Sequence, residues 1–416
     1  MTGDRNRIAI IGAGPIGLEA ALCAAHAGYQ VDVYERGSVA EHMQRWGHVR
    51  LFSPFGMNSS ELGRRSVSDH AGGDALPGED ALLTGNEFAE RYLLPVSRLP
   101  LLEGGIHQSC RVTAVGRTRT WKGDLIGRPE RGDDPFKLLL SEDGWERTAT
   151  ADIVLDCSGT YANANNVGAG GVACLGESTA LSADDYRLPD ILGEQRDRYA
   201  GRTTIVIGAG YSAATAIVSL AELAESAPGT RAIWITRAIH DVPIGQIKDD
   251  QLISRDVLAT RANELALEQD GIVEWKPARL VRRVVLNAQS ANDARNLATH
   301  KYTLTLECRS ADDDDPIEEQ LRGDNIIANV GYRPDRSLYE ELQVHECYAS
   351  QGPMKLSAAL LGEQSADCLD QGGFGAGVLS NPEPGFFILG AKSYGRDSRF
   401  LIKIGLEQIR DVFEIL

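Results

Sequence analysis

Two short glycine runs carry the chemistry of this chain: Gly12-Ala13-Gly14-Pro15-Ile16-Gly17 near the start and Gly208-Ala209-Gly210-Tyr211-Ser212-Ala213 in the second half. Each follows a short apolar stretch (residues 7–11 and 204–207) and precedes an alanine-rich helical pattern. In that strand, turn and helix context the glycines cradle a pyrophosphate. The first glycine turns the chain out of the strand, the second lets the backbone approach the phosphates, and the third position lets helix and strand pack closely. The phosphates then rest on free N–H groups at the positive end of the helix dipole. The pattern predicts two bound dinucleotides.

The two copies differ where a ribose would be recognised. After the first, the strand pattern of residues 31–35 ends in Glu35, followed by Arg36. A carboxylate about 20 residues past the glycines hydrogen-bonds ribose hydroxyls, so Glu35 selects an unphosphorylated ribose, as in FAD or NAD. After the second copy, the strand pattern of residues 232–236 ends in Arg237, where the first copy has Glu35. A guanidinium there attracts a 2′-phosphate through charge-assisted hydrogen bonds, which favours NADPH over NADH. The plain alternative is a surface cation at a strand end.

The elements that position these motifs repeat in order. Residues 7–35 read as strand, helix, strand; residues 84–95 as an amphipathic helix; residues 106–117 and 136–140 as strands; residues 151–160 as a buried strand ending in a glycine turn at Ser158 and Gly159. The second half repeats the order, with strands near 272–275, 280–287 and 302–308, an acidic hairpin tip at Asp312-Asp313-Asp314-Asp315, and an apolar strand ending at Gly331. This is a pseudo-repeat of two similar halves. A closing strand ending at Leu389 and Gly390, and a helix over residues 398–416, return to the first half. The expectation is an α/β fold with the second domain inserted into the first.

Composition bounds the class. The 416 residues suffice for two or three domains, and 43% hydrophobic with 24% charged residues describes a soluble globular protein. A net charge of −17 argues against general binding to nucleic acid or anionic membrane. No stretch approaches the roughly 20 apolar residues of a membrane helix, and strand 7–11 starts too early to leave room for a signal peptide. Seven cysteines, at positions 23, 110, 157, 174, 308, 347 and 368, lack metal-ligand spacing. The reading is a reducing cytoplasm, buried thiols and no metal.

At these motifs the chain resembles the flavoproteins with two dinucleotide-binding domains, the superfamily of flavin-containing monooxygenases and pyridine-nucleotide disulfide reductases. The resemblance rests on residues 12–17 with Glu35, 152–159, 208–213 with Arg237, 331–334 and 387–390. It implies two Rossmann-like domains: an FAD-binding domain of residues 1–197 and 325–416, and an NADPH-binding domain of residues 198–324. It implies hydride transfer from nicotinamide to flavin. The cofactor-binding set is Gly12, Gly14, Pro15, Ile16, Gly17, Glu35, Arg36, Ser158, Gly159, Gly208, Gly210, Tyr211, Ser212, Ala213, Arg237, Gly331 and Gly390.

The acceptor that oxidises the reduced flavin sets the function. The reductase branch needs a cysteine pair, yet no cysteine lies between Cys23 and Cys110 or between Cys174 and Cys308. The monooxygenase branch needs none, and residues 46–55 and 234–243 look more like it. Two features depart from its pattern. Asparagines, including Asn163, Asn165 and Asn166, occupy the inter-domain signature, and Gly390-Ala391 replaces the Gly-Asp that often holds the ribityl chain. Candidate catalytic residues are Trp46, Asn163 and Lys392, the last either stabilising an anionic flavin or peroxide or lying at the surface. The leading expectation is an FAD-dependent, NADPH-driven monooxygenase acting on a nitrogen, sulfur or carbonyl centre of a small metabolite. A reductase of disulfides, quinones or other electrophiles, using Cys157 alone or no cysteine, is the second. A non-catalytic flavin-binding protein is the third. Pocket loops are expected at residues 42–58, 160–175 and 365–381, with a glycine-rich lid at 371–377, and a homodimer is one assembly that fits.

Overall fold

The computed structural model describes residues 6–71, 76–268, 271–287, 300–308, 317–362 and 374–416. The chain forms two compact units, Met1–Asn163 with Tyr332–Leu416, and Ala164–Gly331. The first unit opens with β1 (Arg7–Ile11), β2 (Gln30–Tyr34) and β3 (Ile106–His107), continues through β4 (Cys110–Arg117), β5 (Phe136–Glu142) and β6 (Trp145–Ala151), and reaches β7 (Ile153–Asp156). The second holds β8 (Thr203–Ile207), β9 (Arg231–Ile235), β10 (Val273–Lys276), β11 (Arg279–Leu286), β12 (Tyr302–Cys308), β13 (Ile317–Gly323) and β14 (Asn325–Ala328). The chain then returns to the first unit for β15 (Phe386–Ile388).

Each unit pairs a parallel sheet with a three-stranded antiparallel one. The first unit's parallel sheet has the order β15-β7-β1-β2-β3, and the second's β10-β9-β8-β14; the antiparallel sheets are β4-β5-β6 and β11-β12-β13. β1 and β7 are almost wholly buried apolar runs because helices and the second sheet cover both faces of a parallel strand. The helix α1 (Pro15–His26) packs its alanines and leucines into the core of β1 and β7, with Ala20, Ala21 and Ala24 fully buried. Small side chains let that helix lie close against the sheet.

Several elements carry no clear periodic signal in the sequence. The loop-like stretch after β2 contains two short helices, α2 (Glu41–Arg45) and α3 (Phe55–Asn58), and α4 (Glu61–Ala71) follows in a mostly polar segment. The helix Ile253–Leu267 mixes buried and exposed apolar positions. Edge strands β6 and β13 carry charged residues, the usual protection of an unpaired edge, and so look like loops. The expected amphipathic helix forms as three turns in succession, Gly85–Phe88, a π-helical turn Ala89–Leu93, and Leu94–Ser97, opened by a Thr84/Glu87 capping box. The C-terminal helix runs over Ile402–Phe413, later than the sequence suggests. The Asp312–Asp315 run lies outside the described residues.

The compact units divide at 163/164 and 331/332, beside the domain boundaries expected at 197/198 and 324/325. Residues 164–197 pack on the second unit: Gly168 bridges Val281, Leu175 bridges Arg283, and Glu177 accepts hydrogen bonds from Val167 N, Cys174 N and the Tyr186 hydroxyl. A segment of short turns has no periodicity to reveal which sheet it covers.

One buried charge cluster ties the first unit's antiparallel sheet to its returning segment. The guanidiniums of Arg117 and Arg131 both bond the Glu383 carboxylate, at 2.7 and 2.9 Å, with all three side chains fully buried. Arg117 also lies 3.6 Å over the Phe136 ring, and Gln343 N donates to Glu383 at 2.8 Å. Beside it Asp134 accepts from the Thr118 hydroxyl and the N–H groups of Arg119 and Thr120. Burial opposes its ionisation, but these hydrogen bonds outweigh burial and hold its carboxyl well below the usual carboxylate range.

Glu383→Ala should cost about 3–5 kcal/mol, because two buried cations lose their counter-ion; a smaller loss in urea denaturation would assign the cluster a minor role. Asp134→Asn should cost about 1–3 kcal/mol at neutral pH. Because the folded pKa is depressed, that stabilisation is complete above the unfolded value of about 3.9 and is lost as pH falls through the folded value. The two proteins should therefore converge in stability in acid, which denaturation series at descending pH will check.

Candidate functional site

In the first unit the glycines of the opening motif divide into two kinds. Gly12 has φ +98°, and a Cβ there would meet the Cys157 carbonyl oxygen at 2.9 Å; a Cβ on Gly17 would meet the Gly12 carbonyl at 1.9 Å. Both are required by the protein's own packing. A Cβ on Gly14 would meet nothing within 4 Å. The adjoining helix α1 starts at Pro15 with no side-chain cap, which leaves its first N–H groups without a side-chain acceptor. Glu35, just past β2, accepts hydrogen bonds from Ala13 N at 2.8 Å and Gly37 N at 2.9 Å, which places its carboxylate at the rim of the same space. Arg36 is exposed and bonds the His42 ring.

The second unit repeats the division. Gly208 has φ +136°, and a Cβ there would meet the Asn329 carbonyl at 2.1 Å, while Gly210 is open. The helix Tyr211–Ser226 starts without a side-chain cap, and Ala213 is fully buried at the third position of the motif. The Trp234 indole N–H, from β9, donates to the Gly208 carbonyl at 2.8 Å and fixes the turn. Arg237 is exposed with no ion-pair partner among the described residues. Gly331 has φ +80° and faces the Asn165 amide.

The ends of β7 and β15 lie beside the turn of the opening motif, Ser158 against Gly12 and Gly390 against Ile16. Lys392, in the short helical turn Gly390–Tyr394, is 1% exposed, and its ammonium donates to Asp156 Oδ2 at 2.6 Å and to Ser158 Oγ at 3.0 Å. That corrects the surface-lysine alternative, and the charge is already neutralised by Asp156. Ser158 and Gly159 follow β7, Ser158 exposed and Gly159 at φ +68° with open space beside it. Gly390 has φ +72° against Ile16, its N–H held by Gln408 Oε1 at 2.8 Å. Cys157 lies in the same turn but is buried, and burial, then the neighbouring Asp156 carboxylate, push its thiol far above the ordinary range.

The catalytic candidates are brought together in part. Trp46 and Tyr161 meet edge to face at 6.5 Å, His42 lies 6.2 Å from Tyr161, and Tyr332 packs against Tyr161 at 5.0 Å. The Trp46 indole N–H is buried without a hydrogen-bond partner among the described residues. Asn163 is in the neighbouring turn, but its amide donates to the Pro334 carbonyl at 3.3 Å and its backbone carbonyl accepts from Arg333 N. Asn165 and Asn166 likewise donate to the carbonyls of Val330 and Gly171. These asparagines serve turns. Residues 363–373, within the expected pocket loop and lid, lie outside the described residues. Asp156 and Tyr161 escaped the sequence reading. A carboxylate closing an otherwise apolar strand, which needs a buried cation, was the available signal for the first. Among the described residues no three His, Cys, Asp or Glu side chains gather as a metal site, and no helix is long and apolar enough to cross a membrane.

No family model and no curated protein matches the chain. Solved structures do. Bacillithiol disulfide reductase from Bacillus cereus is 18% identical with TM-score 0.66, covering 99% of this chain and 98% of that one. The cadaverine monooxygenase DfoA of Erwinia amylovora, solved with FAD, is 13% identical with TM-score 0.63, covering 98% and 93%. The ornithine N-hydroxylase of Kutzneria sp. 744, solved with reduced FAD, NADP+ and L-ornithine, is 14% identical with TM-score 0.59, covering 98% of both chains. The fold is therefore the α/β arrangement of two Rossmann-like domains, one inserted into the other, that these solved structures share.

Gly14→Ala should leave the fold intact, since its Cβ has room, yet fill the nucleotide cradle and weaken dinucleotide binding at least tenfold. Gly17→Ala should instead destabilise the protein, because its Cβ collides with backbone. Melting curves and titration with FAD separate the two; equal losses of stability would contradict the assignment.

Proposed function

We propose that the chain is an FAD-containing, NADPH-driven oxidoreductase, and that its reaction is the monooxygenation of a nitrogen, sulfur or carbonyl centre in a small metabolite. The observation that carries the cofactor reading is the pair of open cradles at Gly14 and Gly210, each facing an uncapped helix N-terminus. The residues fit the groups. Gly12, Gly14 and α1 would hold the FAD pyrophosphate, Glu35 the ribose hydroxyls, and Ser158, Gly159 and Gly390 would line the rest of that edge. Gly208, Gly210, Tyr211, Ser212 and the helix behind them would hold the NADPH pyrophosphate, with Arg237 free to meet the 2′-phosphate. The solved relatives that share the fold, several of them named for flavin-dependent reactions, support the same pair.

FAD accepts a hydride from NADPH and passes two electrons onward when bound. The chain's own residues bear on where those electrons go. Cys157, whose backbone lies against Gly12 of the first cradle, is a buried thiol kept protonated, which makes it a poor nucleophile toward a disulfide. Every described cysteine is free. Trp46, Tyr161 and Tyr332 form an aromatic group beside the turn after β7, and the unpartnered Trp46 N–H would orient a ligand acceptor. The balanced reaction takes substrate, O2, NADPH and a proton to oxygenated substrate, water and NADP+. The likeness to bacillithiol disulfide reductase keeps a second reading, reduction of a disulfide or quinone without a cysteine relay.

The purified holoprotein should consume NADPH in air, and adding the right amine or sulfide should lower the hydrogen peroxide released per NADPH while an oxygenated product forms. Cadaverine, ornithine and simple thioethers are the first probes. NADPH oxidation that requires a quinone or disulfide in the absence of oxygen would favour the second reading. Arg237→Ala should raise KM for NADPH about tenfold, equivalent to roughly 1.4 kcal/mol, and leave KM for NADH nearly unchanged. Equal change for both would remove Arg237 from the phosphate site.

A further inference from the structure

The turn after β7 holds a hydrogen-bond network whose polarity is settled before any ligand arrives. Asp156 is fully buried, and its Oδ1 accepts from Ser158 N at 3.1 Å and from the Ser158 hydroxyl at 2.6 Å. Its Oδ2 accepts from the Lys392 ammonium at 2.6 Å, and that same ammonium donates to Ser158 Oγ at 3.0 Å. The other side of the ammonium is covered by the Tyr339 ring, 5.2 Å away. Gln408 locks the turn that carries Lys392, accepting from Gly390 N at 2.8 Å and donating to Ser393 Oγ at 2.9 Å. The arrangement is one closed unit with no net charge.

Ser158 is its exposed member. A hydroxyl has one proton to donate and two lone pairs that accept. Its proton goes to the Asp156 carboxylate and one lone pair takes the lysine N–H. One lone pair is left on this exposed residue, whose Cα lies against Gly12. Phosphate oxygens are acceptors and gain nothing from a lone pair; a ligand hydroxyl gains a hydrogen bond.

We infer that Asp156 and Lys392 are positioning residues that make Ser158 Oγ an obligate acceptor for a cofactor hydroxyl, so that this wall of the cradle selects a sugar or sugar-alcohol segment and leaves the pyrophosphate to the α1 end. This rests on the proposal that the first cradle holds FAD. It also gives Lys392 a part other than direct charge stabilisation of a flavin.

Two parts of FAD carry hydroxyls, the ribityl chain and the adenosine ribose, and a ligand series separates them. Ser158→Ala takes a partner from both Asp156 and Lys392, so it should lower the melting temperature of the cofactor-free protein modestly while keeping the fold, and in addition weaken FAD about three- to tenfold. FAD analogues lacking single ribityl hydroxyls should each be titrated against both proteins. One analogue should bind the original protein as weakly as FAD binds the variant, and lose nothing further in the variant. ADP, which keeps ribose and pyrophosphate but lacks the ribityl chain, should bind both proteins equally if the ribityl chain is the donor, and lose affinity in the variant together with its 2′- or 3′-deoxy forms losing their difference if the ribose is. Additive losses for every deoxy analogue, or weakened binding of inorganic pyrophosphate by Ser158→Ala, would overturn the inference while leaving FAD binding in place. An original protein that binds no FAD would instead remove the functional proposal, and the inference with it.

Discussion

A buried charge pair closes the first unit. Asp156 lies at the end of β7, before the chain enters its second unit, and Lys392 lies just after β15, when it has returned; 236 residues separate them. Two unlike charges with almost no exposure are costly to bury, and removing one partner typically costs 3–5 kcal/mol because the other is stranded. Their pairing therefore depends on β15 docking beside β7, which the backbone also records in the Leu389 N to Asp156 O bond at 3.0 Å. The Arg117, Arg131 and Glu383 cluster joins the same two parts of the chain by the same means. Both buried ionic contacts thus bridge the insertion, and a unit made of two distant chain segments is held by interactions that neither segment can satisfy alone.

The two nucleotide motifs show how one glycine pattern contains two different requirements. Gly12, Gly17 and Gly208 are demanded by backbone approaching backbone, and would be needed with no ligand at all. Gly14 and Gly210, each at an uncapped helix start, meet no such demand, since a Cβ at either would touch nothing within 4 Å. The motifs also differ in how their turns are held: Gly12 donates to Tyr34 O, whereas Gly208 in addition receives the Trp234 indole N–H. The same cradle is supported by different side chains in each unit.

The surroundings of the β7 turn set the state of its thiol. A thiol sits there, yet burial and a neighbouring carboxylate keep it protonated, and the nearby cation is spent on Asp156 rather than on activating it. The structure thereby separates Cys157 from the redox role that its position in the sequence invites. The solved structures that share the fold include reductases and hydroxylases alike, as expected when chemistry is set by the side chains at one edge and not by the sheets beneath.

Much was legible in the residues alone. The glycine spacing, the apolar strands before it and the alanine-rich helices after it determined two Rossmann-like units and their glycine turns, because these signals are local: a turn, a period and a small side chain each act over a few residues. Glu35 and Arg237 were legible for the same reason, at fixed distance from the glycines. The sequence was silent on pairing across long separations. It left Lys392 between a flavin contact and the surface, the Asn163 amide without its carbonyl partner at Pro334, and residues 164–197 without the sheet they pack on. Only the tertiary structure decided these, since a buried charge, a turn amide or a run of short loops takes its meaning from a partner more than a hundred residues away that no local pattern specifies.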